Sequence, residues 1–121
     1  MSNKIALDVN DNLLDQLHYN HQGLIPAIVQ NQKTREILMM AYVNRESLDK
    51  TIKSGNATFW SRSRKKLWMK GETSGNVIRV IKILIDCDGD TLLFIGDPSG
   101  PTCHTGERTC FYRTIAGSES E

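Results

Sequence analysis

The segment Val77 to Asp86 (Val-Ile-Arg-Val-Ile-Lys-Ile-Leu-Ile-Asp) constrains the fold more than any other stretch of this 121-residue chain. Val and Ile dominate it, and their β-branching disfavours helix while fitting a pleated, packed surface. So apolar a strand is expected at the centre of a sheet. Asp88-Gly89-Asp90 supplies a hairpin turn after it, and Thr91 to Ile95 the return strand. Further strands are predicted at Leu24 to Gln30, Glu36 to Val43, Ala57 to Ser61, Leu67 to Met69 and Cys110 to Ile115. Gly71 to Asn76 reads as a loop, and so does Asp97 to Pro101, fixed by two prolines. One helix is predicted over Asn10 to His18, with Leu13, Leu14 and Leu17 on one face. A second spans Asn44 to Gly55, with an N-cap residue, an early acid, Lys53 in the last turn and a glycine at the C-cap. Six or seven strands and two short helices define a β-dominated α+β fold, a curved sheet of antiparallel or mixed pairing.

Composition places this pattern in an ordinary globular domain. Residues of the AVILMFWYC set make up 39% of the chain, enough for one core at this length. No repeat or linker divides it, so residues 1–121 read as a single domain, with loose ends expected at 1–4 and 117–121. The first residues resemble no secretory signal, and no apolar run approaches a membrane span. Three cysteines cannot close a full set of intrachain disulfides, so reduced thiols and a cytoplasmic setting are expected. The formal charge is +1, which offers no global field for nucleic acid or an anionic membrane. That total hides two patches: Thr58 to Ile85 holds seven Lys and Arg against one Glu, leaving +6 there and −5 over the rest.

Three constellations carry chemistry. Cys87, Cys103 and Cys110 stand 16 and 7 positions apart, with His104 beside the second and no Cys-x-x-Cys knuckle. Three thiolates converging on zinc would leave a fourth position for water or His104, and zinc lowers the pKa of bound water to about 7. Spacing alone equally allows three buried cysteines acting as small hydrophobes. Asp86, Asp88 and Asp90 alternate around Gly89, which concentrates negative charge that a hard cation would neutralise. An exposed Asp-Gly turn is the competing reading. An EF-hand is excluded, because its sixth and twelfth positions would be Thr91 and Asp97. Phe59 to Gly75 interleaves Trp60 and Trp68 with Arg62, Ser63, Arg64, Lys65, Lys66 and Lys70. Such a strip suits the phosphate and base of a nucleotide, or equally a nucleic-acid strand, or a solvated hairpin whose tryptophans face the core.

Taken together, four motifs resemble the phosphoribosyl-AMP cyclohydrolase family: Phe59-Trp60-Ser61-Arg62-Ser63-Arg64, Leu67-Trp68 with Lys70 to Asn76, Asp86 to Asp90, and Cys103-His104-Thr105-Gly106 with Cys110 to Arg113. The similarity runs from about Gly23 to Arg113. It implies hydrolysis of the N1–C6 bond of the adenine ring in phosphoribosyl-AMP, within histidine biosynthesis, with Zn²⁺ and Mg²⁺ as cofactors. It also implies an intertwined homodimer in which one subunit gives Cys87 and its partner Cys103 and Cys110 to each zinc. By the same resemblance Asp86, Asp88 and Asp90 hold Mg²⁺. His104 is the candidate acid-base group, with a fourth zinc ligand and an outer-sphere donor as alternatives. Trp60, Arg62, Ser63, Arg64, Lys70, Glu72 and Ser74 are candidate substrate contacts. Many relatives fuse a pyrophosphohydrolase domain, and none is expected here. Thr91 and Thr102 stand where many members have Ala, Thr109 where many have Ser, and Pro98 where many have Gln.

Two rivals remain at the level of sequence. A zinc nucleobase deaminase would show His-x-Glu and Pro-Cys-x-x-Cys elements, and neither is present. A small nucleic-acid-binding domain with a structural metal would use the basic strip and bind in a salt-sensitive manner.

Overall fold

The computed structural model describes residues 6–118, so the expected loose ends fall largely outside the described residues. Its elements are α1 (Asp11–Leu14), β1 (Ile25–Asn31), β2 (Ile37–Val43), α2 (Arg45–Ser54), β3 (Thr58–Ser61), β4 (Lys66–Met69), β5 (Ile78–Ile85) and β6 (Leu92–Pro98). The strands form one sheet in the order β4-β3-β2-β1-β6-β5. β1 and β6 run parallel, and every other neighbouring pair is antiparallel. The sheet is therefore mixed, as one of the two expected pairings. It also curls: Ala57 donates to the Ile78 carbonyl at 2.9 Å and Val80 to the Gly55 carbonyl at 2.7 Å, which brings the start of β5 back to the start of β3.

The Val/Ile-rich strand β5 lies at the edge of the sheet order, not at its centre. Its apolarity serves two faces: Ile78 and Val80 enter the core, while Ile81 and Leu84 are 41% and 44% exposed on the other side. A second correction concerns Cys110 to Ile115, which form no strand. Cys110 makes one ladder-like bond, donating to the Leu38 carbonyl at 2.8 Å, and the chain then leaves β2. Phe111 and Ile115 are consequently 61% and fully exposed. β6 continues through Asp97 and Pro98, where a loop was expected, because β5 supplies partners up to Ile78↔Pro98. α1 ends at Leu14, short of the expected His18, although Leu14 from its last turn and Leu17 from the irregular segment after it still pack on the core.

α2 follows its sequence signals closely. Asn44 and Ser47 form a reciprocal capping box, and Gly55 closes the helix at φ 78. Thr51, fully buried on its inner face, bonds the Ser47 and Thr58 carbonyls and accepts from the Thr58 amide, stitching α2 to β3. The core beneath is built from alternate residues of β1 (Ile25, Ala27, Val29), with Leu38, Val43, Leu48, Phe59, Ile78 and Phe94 closing round them. Phe59 is its hub, 5.1 Å from Trp68 and 6.0 Å from Phe94 between ring centroids.

Candidate functional site

The β5–β6 turn gathers the three alternate carboxylates. Gly89 donates to the Asp86 carbonyl at 3.1 Å, closing the turn, and takes φ +75, which a side chain would resist. Oδ1 of Asp86 accepts from the Asp90 and Thr91 amides at 3.0 and 3.2 Å. The result brings ligand oxygens of Asp86, Asp88 and Asp90 within 4.8 Å of one another, all exposed. Desolvation works to raise the Asp86 carboxyl, but the Asp90 amide and the hydrogen bonds from its neighbours together hold it below its ordinary value. Asp90 is raised, first by its hydrogen bond to Asp86 and then by desolvation and the two adjacent negative charges. Hard oxygen donors in this arrangement fit Mg²⁺.

The thiols divide. Thr109, buried, donates to the Ile37 carbonyl at 2.6 Å, and Arg108 forks onto Glu36 at 2.7 and 3.0 Å. These bonds pin the Cys103–Cys110 loop to the start of β2. Within it Gly106 closes a turn onto the Cys103 carbonyl at 2.9 Å, and His104 sits exposed in that turn. Cys103 and Cys110 lie close enough for each thiol to act on the titration of the other. The Thr105 hydroxyl, 3.1 Å from the Cys103 sulfur, pulls that thiol below its usual range, with Cys110 adding to the effect. Cys110 is pushed up by desolvation and by Cys103, and Lys70 lies close enough to oppose this. Two soft donors and a cation nearby fit one side of a zinc site. Cys87 does not join them. It belongs to the acidic turn at the end of β5, whereas Cys110 is bonded to β2, two strands beyond β6 in the sheet order. About 10 Å of sheet separates them at 4.8 Å per strand, before any displacement along the strands. Among the described residues, the one group of three clustered ligands is the carboxylate set.

The basic and aromatic segment is also split by the strand period. Trp68 faces the core against Phe59, while Trp60 lies in register with Tyr42 on the opposite face. Arg62 stacks on Tyr42, its guanidinium carbon 4.2 Å from the ring centroid. Ser63 meets the Ser61 hydroxyl at 3.4 Å, and the Arg64 amide donates to Ser61. Glu72 accepts from the Met69 amide at 3.2 Å and Ser74 from Asn76 at 3.2 Å, so both shape the turn after β4. Gly71 is required there, since a Cβ would stand 2.3 Å from the Asn76 carbonyl carbon. Ser61, Arg62, Ser63 and Arg64 thus cluster on the β3–β4 turn, and Lys70 instead neighbours the thiol loop. Glu36 and Arg108 carry no strong sequence signal, and Thr105 enters the sequence reading only as a member of the Cys103-His104-Thr105-Gly106 motif, without a role of its own.

A hard-donor group, a pair of soft donors and an Arg- and Ser-rich turn beside an outward tryptophan thus sit on one small curled sheet. Comparison with known proteins makes this specific. The phosphoribosyl-AMP cyclohydrolase profile matches residues 39–112. Phosphoribosyl-AMP cyclohydrolases of Archaeoglobus fulgidus and Methanosarcina acetivorans are 55% and 58% identical over 104 residues each, 86% of this chain and 96% and 86% of those proteins. The chloroplastic histidine biosynthesis bifunctional protein of Arabidopsis thaliana is 52% identical over 112 residues, 92% of this chain and 40% of that longer protein. The chain belongs to the phosphoribosyl-AMP cyclohydrolase family and is an enzyme, a hydrolase. No helix among the described residues is long and apolar enough to cross a membrane.

Proposed function

We propose that the chain hydrolyses the N1–C6 bond of the adenine ring of phosphoribosyl-AMP, as a step of histidine biosynthesis in the cytoplasm, using Zn²⁺ and Mg²⁺. The observation that carries this reading is the thiol pair Cys103 and Cys110, held as neighbours by the bonds to β2, in a chain of this family. When bound, zinc would supply water activation near neutral pH, and magnesium would offset negative charge on the substrate. The chain's own residues do the rest. Arg62, Ser63 and Arg64 offer the substrate's phosphates a guanidinium fork and hydroxyl donors on one turn. Trp60 gives a flat face for the base beside them. Lys70 adds positive charge near the thiols, where anionic sulfur would otherwise repel an anionic nucleotide. His104, in the turn next to Cys103, would put a proton on the departing N1 in this reading. Glu72 and Ser74 act by holding the β4 turn.

Cys87 would reach its zinc in trans, in a homodimer. Two observations support this. The sheet separates Cys87 from the other thiols of its own chain, and a row of apolar side chains lies on the sheet face away from the core. Register pairs place Met40, Ile28, Leu93 and Leu84 side by side across β2, β1, β6 and β5, with Met40 and Leu84 among the exposed large hydrophobics. A second copy is the occupant this face would need. The exposed Phe111 and Ile115 offer further apolar surface for the same contact. The test is metal content and turnover of Cys87→Ser, Cys103→Ser and Cys110→Ser. Each is expected to lose zinc and activity together. Full activity in any one of them contradicts the three-thiolate assignment.

A further inference from the structure

The acidic turn is gripped by the N-terminal arm. The His18 amide donates to the Gly89 carbonyl at 2.8 Å, and His18 Nδ1 lies 3.0 Å from the Asp88 carbonyl oxygen. A carbonyl can only accept, so Nδ1 carries the hydrogen. One residue, seventy positions upstream of Asp88, therefore fixes two consecutive carbonyls of the turn. The contact is close: a Cβ at Gly89 would lie 3.1 Å from the Gln16 carbonyl oxygen and 3.7 Å from His18 Nδ1. The arm is itself anchored. Leu7 donates to the Ile52 carbonyl at 2.8 Å, and Leu14 and Leu17 pack on the core. This arm precedes residue 39, where the family profile begins to match.

We propose that His18 is a positioning residue of the divalent-cation site, holding the backbone at Asp88 and Gly89 so that three mutually repelling carboxylates stay within the span of one ion. The inference rests on the assignment of Asp86, Asp88 and Asp90 to a hard cation, and it extends that site to a segment outside the family motifs. Without the imidazole bond, the Asp88 carbonyl loses its partner and the turn is free to spread. The ion would then have to supply the energy of regathering its ligands, and its affinity would fall.

Binding of Mn²⁺ alone, followed by the spin-resonance signal of the free ion, tests this in the full chain. His18→Ala is expected to weaken Mn²⁺ about tenfold, the lower end for outer partners of metal ligands. His18→Asn, whose amide nitrogen reaches the place of Nδ1, should recover affinity to within about threefold of wild type. His18→Gln, with a longer reach, should not. A purely structural role would not distinguish Asn from Gln at matched melting temperature. Wild-type affinity in His18→Ala, or in His18→Gln should the alanine variant fail to fold, overturns the proposal. So does an Asn variant as weak as Ala. Asp88→Asn is the control: if it binds Mn²⁺ like wild type, the cation-site assignment falls first and the positioning role with it.

Discussion

At the scale of single residues, the acidic turn shows how three like charges are held together. Asp86 and Asp90 are shifted in opposite directions, the first down and the second up. On acidification Asp90 therefore takes up a proton before Asp86. A carboxyl raised in the folded state contributes stability that is present at low pH and lost as pH rises through its folded value. Asp86 acts in the opposite sense, its contribution being lost as pH falls. Asp90→Asn removes the like charge while its amide can still donate to Asp86. The metal-free variant should melt above wild type at pH 7, and the difference should shrink to nothing below about pH 4, where carboxylates ordinarily protonate. Equal melting at pH 7 would show that the repulsion is not felt. The alternation of the carboxylates was legible in the sequence, and so was their gathering at Gly89. The amides of Asp90 and Thr91 that settle which carboxyl titrates first depend on turn geometry no spacing conveys. The two tryptophans divide likewise: a residue count shows that Trp60 and Trp68 are both in strands, but only the pairing of β3 with β4 sends Trp68 to Phe59.

At the scale of elements, local signals succeeded where the element carries its own instructions. Asn44, Ser47 and Gly55 specify α2 by capping chemistry that needs no distant partner. β1 and β2 follow from a polar turn between two apolar runs. Position in the sheet is a different matter. The apolar run of β5 suggested a centre strand, yet burial of one face and exposure of the other give the same composition. The Cys110 to Ile115 segment has strand-like residues but receives only one ladder bond among the described residues. What ties the thiol loop down is Thr109, whose hydroxyl bonds the Ile37 and Leu38 carbonyls and accepts from the Phe111 amide. Thr109→Val keeps the shape and removes all three. It should cost about 1–3 kcal/mol, or roughly 5–15 °C of melting temperature for a domain of this size. Thr109→Ser should retain most of the stability. A valine variant melting like wild type would mean the loop is held by Arg108 and Glu36 instead.

At the scale of the whole molecule, the chain has a second apolar sheet face and a split thiol set, and the proposed homodimer accounts for both. It also makes a quantitative forecast. Cys87→Ser and Cys103→Ser each leave no complete site in their own dimers. Mixed and allowed to exchange, half of the particles become heterodimers with one intact site of two, so activity should return to about a quarter of wild type. No recovery after demonstrated exchange would place all three thiols on one chain or remove the shared site. Neither the face nor the split could be seen from spacing. The resemblance implied a shared zinc, and the sheet that stands between Cys87 and Cys110 is the physical ground on which we propose it. The most direct test of the account is turnover of phosphoribosyl-AMP by the purified chain with Zn²⁺ and Mg²⁺ supplied, followed by absorbance and by assay of ammonia. Ring opening with no ammonia released is the expected result. Absence of turnover with both metals present, or release of ammonia in step with substrate loss, would contradict it.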